Sequence, residues 1–431
     1  MVRAFPLGNF LLGSMLIFGC SVYTFQLINR SEKSPNWYLP PFDGKAKSFS
    51  LSHLGGENFK IANRVMDGRG YSDPYPTENM PTAWMPPVYP AVCMVLIAIH
   101  GKNPYLIGQT MAMVQVACLI FQWFCVVALC RPQRIFSQLL LLLTLTGFLL
   151  SHFSYLFLMT HDYMTACVGL AVLLWAAPLR FEAPTRRQWC LWGFAGGFAS
   201  LCAPVLAGAW FLISMWCVRA NGKRVLLAAL VAGVVLAPWT IRNAVMLHGF
   251  VFVKSNAGYE LYQSLKYSPN GLLTPETLHK HPGGDGHNEF LEYQQLGEVK
   301  YNSKKMGQAL EIIRNDPAHY ATQTWNRLVA VVWHEEFFII KPTLETLKAT
   351  NRAWYLLCGL SFVYLIILWV VRGISPPAKV AVLAFWGAAL PYILISFYDR
   401  YEVPLGIAKF LLVYFTATET GKLFCRKKVP Y

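Results

Sequence analysis

The stretch "LAPWTIRNAVMLHGFVFVKSNAGYELYQ", residues 236–263, begins as the end of an apolar helix and continues as a polar segment that contains glycine. The apolar run stops at Pro238-Trp239, and Arg242 and Asn243 follow directly. A long apolar run is typical of a membrane span, and an arginine beside a tryptophan at its end is typical of the lipid head-group region. The stretch therefore predicts a membrane protein, and the role of Arg242 depends on what this side of the membrane faces.

The composition of the whole chain agrees with this prediction. Its 431 residues are 55% hydrophobic and only 14% charged, which is too apolar for a soluble domain. We predict an all-α polytopic membrane protein of about ten transmembrane helices, with a long first outer loop that carries interfacial helices. The apolar runs lie near residues 8–28, 106–130, 135–156, 163–179, 188–203, 205–219, 225–241, 353–372, 378–397 and 404–422.

The net charge of +15 does not indicate a nucleic-acid partner. Lys and Arg are spread over loops instead of being grouped with aromatic residues on one element, as the positive-inside bias of membrane proteins explains. The 11 cysteines lie mostly inside apolar runs and show no metal-ligand spacing. We therefore expect no nucleic acid, no disulfide and no zinc site.

The short loops predict that both termini are cytoplasmic. With the N-terminus inside, every short loop on the cytoplasmic face is basic, as the positive-inside rule requires. Residues 29–105 and 242–352 then lie outside. Counting residues 81–101 as a span would reverse every later loop, so we predict an interfacial or dipping helix there, after a short amphipathic helix within 55–70. The basic residues of the short loops are Arg131, Arg134, Arg180, Arg186, Arg187, Arg219, Lys223, Arg224, Arg372, Lys379, Lys422, Arg426, Lys427 and Lys428.

Five segments in a fixed order carry a resemblance to a known family. The chain resembles bacterial membrane glycosyltransferases of the GT-C superfamily, in the branch near protein O-mannosyltransferases and aminoarabinose transferases. The resemblance runs over roughly residues 50–410. The segments are "ENFKIANRVMDGRGYSDPYP" (57–76), "PTAWMPPVYP" (81–90), "PWTIRNAVMLHGFVFVKSNAGYELY" (238–262), "LGEVKYNSKKMGQALEIIRNDPAHYATQTWNRLVAVVW" (296–333) and "DRYEVPL" (399–405).

This resemblance implies inverting transfer of a sugar from a polyprenyl-phosphate carrier to an acceptor on the periplasmic face of the bacterial inner membrane. Residues 1–241, with the outer loop 29–105, are then the catalytic transmembrane module, 242–352 a periplasmic and interfacial segment, and 353–431 the C-terminal transmembrane helices. The implied partners are the lipid-linked sugar donor, membrane lipid and an acceptor that the sequence does not name. No cofactor is implied, although a divalent cation stays open.

Inverting transfer needs a carboxylate base, and the resemblance places candidates in the outer segments. Relatives often carry an Asp or an Asp-Glu pair before the amphipathic helix, whereas "SHLGGENF" offers only Glu57, whose alternative role is a surface or capping acid. Asp73 lies in the turn "YSDPYP". Asp162, in "MTHDYMTAC", matches the family's second acid, with a helix N-cap as its alternative role. His161 beside it is predicted to line the substrate.

The departing lipid phosphate needs positive charge or oriented donors. The donor-phosphate candidates are Arg242, Lys254 and the pair Arg400-Tyr401, and interfacial anchoring is the alternative role of the arginines. We further expect Asn256 and Tyr259 to line the mouth of the site. "HKHPGGDGHNE" (279–289) is rich in histidine, but its spacing fits no standard metal site, so we predict no metal ligands.

Two other classes of protein are alternatives to the glycosyltransferase. A polytopic transporter predicts broken or charged helices at mid-membrane and a repeat between the halves of the chain, and no repeat is visible in the sequence. A membrane acyltransferase acting on lipid or glycan predicts catalytic motifs rich in His or Asp, and His161-Asp162 alone is too little. The acids cluster in the outer segments, which favours the glycosyltransferase.

Overall fold

The computed structural model describes residues 5–30, 42, 54–152, 156–157, 162–180, 183–274, 277, 279–283, 287–333 and 346–426. Within these residues the regular structure is helical, apart from two isolated β-bridges. The helices are α1 (Leu7–Arg30), α2 (Gly56–Met66), α3 (Val88–His100), α4 (Pro104–Cys130), α5 (Ile135–Ser151), α6 (Tyr163–Ala176), α7 (Arg186–Cys202), α8 (Leu206–Leu247), α9 (Ala257–Lys266), α10 (His287–Leu296), α11 (Glu298–Asn315), α12 (Pro317–Trp333), α13 (Thr346–Arg372), α14 (Pro376–Leu394) and α15 (Glu402–Arg426).

The prediction of an all-α polytopic membrane protein is confirmed. In the described part of the chain, five helices are long and apolar enough to cross a membrane: α1, α4, the second part of α8, the Asn351–Arg372 part of α13, and α14. Shorter apolar helices, α5, α6 and the first part of α8, occupy positions predicted for further spans. Helices α7 and α15 also lie where spans were predicted.

The predicted helices 205–219 and 225–241 form one long helix, α8, which is broken at Asn221, where φ is −143° and ψ is 34°. The predicted end at residue 241 is wrong, because α8 continues through Pro238 to Leu247. The polar pair at its end is tolerated in the helix because both side chains have partners. Asn243 Nδ2 donates to the Val251 carbonyl at 3.2 Å, and Arg242 donates to carbonyls of the first outer loop.

Contacts gather the basic short loops on one side of the bundle. Arg224 Nη1 donates to the Pro184 carbonyl at 2.9 Å, which places the break in α8 beside the start of α7. Lys379 lies over the Trp216 and Trp369 rings, which adds the start of α14 to the same side. The helix order therefore brings the opposite ends, at the starts of α6, α8 and α15 and the end of α14, together on the other side.

Two helix crossings depend on glycine. Gly208 of α8 and Gly387 of α14 approach so closely that a Cβ on either residue would overlap the backbone of the other. Gly193 of α7 meets the Ala228 carbonyl of α8 in the same way. Small residues let helices approach closely in membrane proteins, where packing replaces the hydrophobic effect as the force between helices. The Gly208–Gly387 crossing sets the distance between α8 and α14 near the site described below.

The outer segments form a helical layer. The amphipathic helix predicted within 55–70 is α2, and the backbone turns out of it at Gly68, whose φ is +75°. The apolar stretch 81–101 contains α3, which shares a buried cluster with α2 and α4 through Phe59, Tyr89 and Ile107. The segment after α8 contributes α9 to α12, which enclose a second cluster rich in tyrosine. This layer covers the ends of the membrane helices.

The orientation predicted from charge is testable by cysteine labelling in intact cells. Gln294 in α10 and Gln133 in the loop between α4 and α5 are both exposed. We expect Gln294→Cys to react with a membrane-impermeant maleimide, because α10 lies in the predicted periplasmic segment. Gln133→Cys should react only after the cells are opened, and the unaltered chain gives the background of its own cysteines. The opposite labelling pattern would reverse the predicted topology.

Candidate functional site

A cavity of about 250 Å³ lies where the ends of the membrane helices meet the outer layer. It combines an apolar wall with a small set of charged and polar groups, which is the usual make-up of a ligand site. The apolar wall comes from Pro86, Ala166, Cys202, Ala203, Pro204, Val205, Ala257, Pro391, Ile395 and Pro404. The polar and aromatic groups are Asp162, Tyr163, Lys254, Asn256, Glu260, Tyr392, Ser396, Arg400 and Tyr401.

Arg400 is held in a short 3-10 turn, Asp399–Tyr401, between α14 and α15. Its guanidinium carbon lies 4.9 Å from the centre of the Tyr398 ring and 5.8 Å from that of Tyr401. Burial lowers the pKa of Arg400, but the neighbouring Tyr401, Asp162, Tyr398 and Glu57 raise it by more, so the pKa lies above its ordinary value. Arg400 is therefore a permanent cation in the cavity wall.

The turn that carries Arg400 is fixed from both sides. On one side, Glu402 at the start of α15 pairs with Lys409, with 2.5 Å between Oε1 and Nζ, and both side chains are 1% exposed. On the other side, the Leu273 N–H donates to the Phe397 carbonyl at 3.0 Å. Each charge of this pair is buried, so moving either residue would leave the other charge without its counter-ion, which costs free energy in an apolar environment. Arg400 is thus presented on a rigid support.

Asp162 directly precedes α6 and lines the cavity. Its backbone carbonyl accepts hydrogen bonds from both the N–H and the hydroxyl of Thr165, at 3.1 and 2.7 Å. The carboxylate belongs to the same cavity wall as Arg400, and it is one of the groups that raise the pKa of that arginine. Of the predicted acids, Asp162 is the one that the structure places in the cavity wall.

Glu57 lies at the start of α2, beside the loop that carries His281. The Tyr75 hydroxyl donates to Glu57 Oε1 at 3.3 Å, and His281 Nε2 is 4.0 Å from the same oxygen. His281 packs among the rings of Tyr75, Trp84 and Tyr259 at 5.3 to 5.7 Å, and its Nδ1 accepts from the Gly283 N–H at 3.1 Å. Burial lowers the pKa of His281, so the ring is neutral near pH 7, with Nε2–H directed to Glu57.

Asp73 has a different environment from the other two acids. Its carboxylate accepts from the Thr77 hydroxyl and the Met80 N–H, each at 2.7 Å, and from the Asn79 N–H at 3.0 Å. Arg64 Nε lies 3.3 Å away as an ion-pair partner. Asp73 itself has a positive φ of 50°, which short polar side chains tolerate best. The geometry gives Asp73 the role of closing the turn 73–80, apart from the cavity.

Arg242 lies outside the cavity wall and connects two outer segments. Its guanidinium donates to the carbonyls of Thr82 at 2.6 Å and Tyr71 at 2.7 Å. It also lies 5.2 Å from the centres of the Tyr71 and Trp239 rings. From the other side, buried Glu298 accepts from the Thr82 hydroxyl and the Ala83 N–H. These contacts fix the segment that leads to Pro86, and they answer why an arginine lies near the end of α8.

The other predicted residues divide between the cavity and its surroundings. Lys254, Asn256 and Tyr401 line the cavity. Tyr259 is fully buried behind the wall, where its hydroxyl donates to the Lys280 carbonyl at 3.0 Å. His161 lies outside the described residues. Among the described residues no group of three or more His, Cys, Asp and Glu side chains is arranged to hold a metal ion.

Four polar or aromatic cavity residues were missed in the sequence, and they are Tyr163, Glu260, Tyr392 and Ser396. Glu260 lies in the quoted segment "AGYELY", where its helix shows an ordinary amphipathic pattern that does not separate a site acid from a surface acid. Tyr392 near the end of α14 and Ser396 just after this helix both lie inside the run 378–397, which was predicted as a membrane span. One signal was present: Pro391 near the end of α14, together with Pro404 in α15, marks an irregular junction where polar groups reach the cavity.

No family model and no curated protein matches the chain. Two crystal structures of ArnT from Cupriavidus metallidurans are similar to it, one bound to undecaprenyl phosphate and one in the apo state. Each match covers 96% of this chain and 80% of the ArnT chain, at 13% sequence identity. The TM-scores are 0.37 for the bound structure and 0.35 for the apo structure. The function of the chain is therefore inferred from the cavity and its side chains.

Proposed function

We propose that this chain is a membrane glycosyltransferase that transfers a sugar from a polyprenyl-phosphate donor to an acceptor on the periplasmic face of the bacterial inner membrane, with inversion at the sugar. One observation carries this proposal. A single cavity at the ends of the membrane helices combines an apolar wall with two cations, Arg400 and Lys254, and two acids, Asp162 and Glu260. A polyprenyl-phosphate sugar has the same three parts: an apolar tail, an anionic phosphate and a polar sugar.

The cations are assigned to the donor phosphate. A guanidinium binds phosphate oxygens bidentately, whereas an ammonium acts as a point charge. As the bond from the sugar to the phosphate oxygen breaks, negative charge grows on the leaving oxygen. Arg400 and Lys254 then stabilise the transition state more than the ground state, which is what accelerates the reaction.

Asp162 is assigned as the base that takes the proton from the acceptor. The acceptor attacks the sugar from the face opposite the phosphate, and its oxygen loses a proton as the new bond forms. Asp162 has a carboxylate in the cavity wall. Glu57, held beside Tyr75 and His281, is the second candidate. Asp162 is the preferred base because it lines the cavity together with the two cations, whereas Glu57 does not line it.

The proposal is tested first by ligand binding. Ligand that binds only the folded protein stabilises it by about 2.7 kcal/mol at a concentration of 100 times Kd. We expect undecaprenyl phosphate to raise the Tm of the purified chain in detergent, while undecaprenol and inorganic phosphate at equal concentration raise it little. The second step is release of undecaprenyl phosphate from undecaprenyl-phosphate-linked sugars in membranes that contain the chain.

The outcome separates this function from transport. A transporter would move the lipid or its head group across vesicle membranes with the sugar still attached. A chain that binds undecaprenyl phosphate but releases none of it from any sugar-linked donor, with acceptor membranes present, would contradict the glycosyltransferase.

A further inference from the structure

Glu260 is an acid of the cavity wall that neither binds the donor phosphate nor acts as the base in the proposed reaction. It lies in α9, is 9% exposed, and lines the cavity together with Asn256 and Ser396. Asn256 Nδ2 donates to Oε1 at 3.1 Å, while Gln263 Nε2 and the Ser396 hydroxyl donate to Oε2 at 2.8 and 3.0 Å. Two of the donors belong to α9 and its N-cap, and the third lies just after α14, so the carboxylate is fixed in orientation.

The hydrogen bonds leave one acceptor position of the Glu260 carboxylate unoccupied. Each carboxylate oxygen accepts about two hydrogen bonds. Oε2 already accepts two and Oε1 accepts one. One acceptor position on Oε1 is therefore left for a donor outside this cluster, and the residue faces the cavity. A group that only accepts hydrogen bonds selects a ligand that carries O–H or N–H.

The support behind Glu260 is rigid. Arg327, which is fully buried, donates from Nε to the Ile393 carbonyl and from Nη1 to the Ser264 hydroxyl, each at 2.7 Å. It therefore ties the end of α14, just before Ser396, to α9, which carries Glu260. A selective site needs an acceptor held in one position, because a mobile carboxylate could adjust to ligands of different shape.

Two tyrosines complete the surroundings of this acceptor. Tyr392 and Tyr401 line the same cavity and stack on each other, with 4.5 Å between ring centres and an angle of 17° between planes. Both have Glu260 and Arg400 among the charged groups that act on their hydroxyls. The rings thus lie within the field of the acid and of the cation, and they form an aromatic surface in the same cavity.

We propose that Glu260, with Asn256, Ser396 and the Tyr392–Tyr401 pair, forms the subsite that recognises hydroxyl groups of the donor sugar. The inference rests on the proposed function. A buried carboxylate beside an aromatic surface suits a carbohydrate, whose hydroxyls donate hydrogen bonds and whose C–H faces pack on rings. Glu260 is a specificity-determining residue in this assignment. It is not the base, because three hydrogen bonds hold it while Asp162 lies in the same cavity.

The variant Glu260→Gln tests the hydrogen-bond polarity of the subsite with little change of shape. The new amide oxygen takes the place of Oε2, where two donors converge, and Asn256 turns its amide to accept from the new NH2 group. The open position then presents a donor instead of an acceptor. A sugar hydroxyl that bound there loses its partner, which costs roughly ten- to a hundredfold in affinity.

The measurement is binding of a ligand series to the full-length chain in detergent. The series comprises undecaprenyl methyl phosphate as a sugarless diester, undecaprenyl-phosphate-linked pentoses and hexoses, and the single-deoxy analogues of the tightest binder. We expect the unaltered chain to bind one sugar-linked donor at least tenfold more tightly than the methyl diester, and to lose at least tenfold for one deoxy analogue. Glu260→Gln should bind the methyl diester normally and lose the preference for sugar. Glu311→Gln, an exposed acid of α11, is the matched control.

The outcomes separate the subsite from the proposed function. If Glu260→Gln keeps the full preference for the sugar-linked donor, the subsite is wrong while the function stands. If the unaltered chain binds none of the polyprenyl phosphates, both are wrong. The deoxy series needs no variant, so it decides the matter even if Glu260→Gln fails to fold: equal affinity for all deoxy analogues would refute the hydroxyl-reading subsite.

Discussion

Arg400→Ala is expected to lower the turnover of sugar transfer by about 10²- to 10³-fold, the scale found when one group that stabilises transition-state charge is removed. Arg400 is the cavity cation with the most strongly fixed surroundings, since it lies beside two tyrosine rings and next to the Glu402–Lys409 pair. The loss should appear mainly in kcat, because the arginine gains most as charge develops on the leaving phosphate.

Arg400→Lys separates charge from geometry. Lysine keeps the positive charge but loses the planar fork that binds two phosphate oxygens, so the variant should be impaired and still measurable. Arg314→Ala, at an exposed position near the end of α11, is the matched control and should leave turnover unchanged. Steady-state transfer from a short-chain polyprenyl-phosphate sugar, at matched membrane levels, gives the comparison. If Arg400→Ala turns over as fast as the unaltered chain at saturating donor, the phosphate role is wrong and Arg400 is an interfacial anchor.

The helices were predictable because membrane spans leave a strong signal. The apolar runs placed α1, α4, α5 and α14 to within a few residues, and Gly68 marked the end of the amphipathic helix α2. The end of α8 was not predictable in the same way. In the sequence, Arg242 indicates the end of a helix. Its place within α8 depends on hydrogen bonds to carbonyls that lie 160 and 171 residues away in the chain.

The site was predictable only in part, and for a physical reason. Arg400, Tyr401, Lys254, Asn256 and Asp162 all line the cavity, as expected of residues at helix ends on one predicted face. Whether an acid faces a cavity or closes a turn depends on long-range packing. Asp73 has its hydrogen-bond positions occupied by its own loop, whereas Glu260 is directed to the cavity by Ser396, 136 residues further along the chain. Local sequence does not contain either fact.

Asp162→Asn is expected to lower turnover by about 10²-fold or more, the scale of general-base removal, while the protein stays folded. Asparagine has nearly the shape of aspartate but does not take up a proton at neutral pH, so acceptor attack loses its base. We expect Glu57→Gln to be severely impaired as well, because Glu57 contributes to the negative potential around Arg400 and is held beside Tyr75. Asp67→Asn, which loses an exposed pair with Lys102, is the control and should be active.

The variants of the three acids should differ in whether they lose stability or turnover. Asp73→Asn removes the acceptor of several hydrogen bonds and the partner of Arg64, so it should lower the Tm in detergent, and any loss of activity should follow the loss of folded protein. Asp162→Asn should keep its Tm and its affinity for undecaprenyl phosphate, and lose kcat. If Asp162→Asn turns over normally while Glu57→Gln is inactive with an unchanged Tm, the base is Glu57. His281, whose Nε2 lies 4.0 Å from that carboxylate, would then orient Glu57 through its Nε2–H.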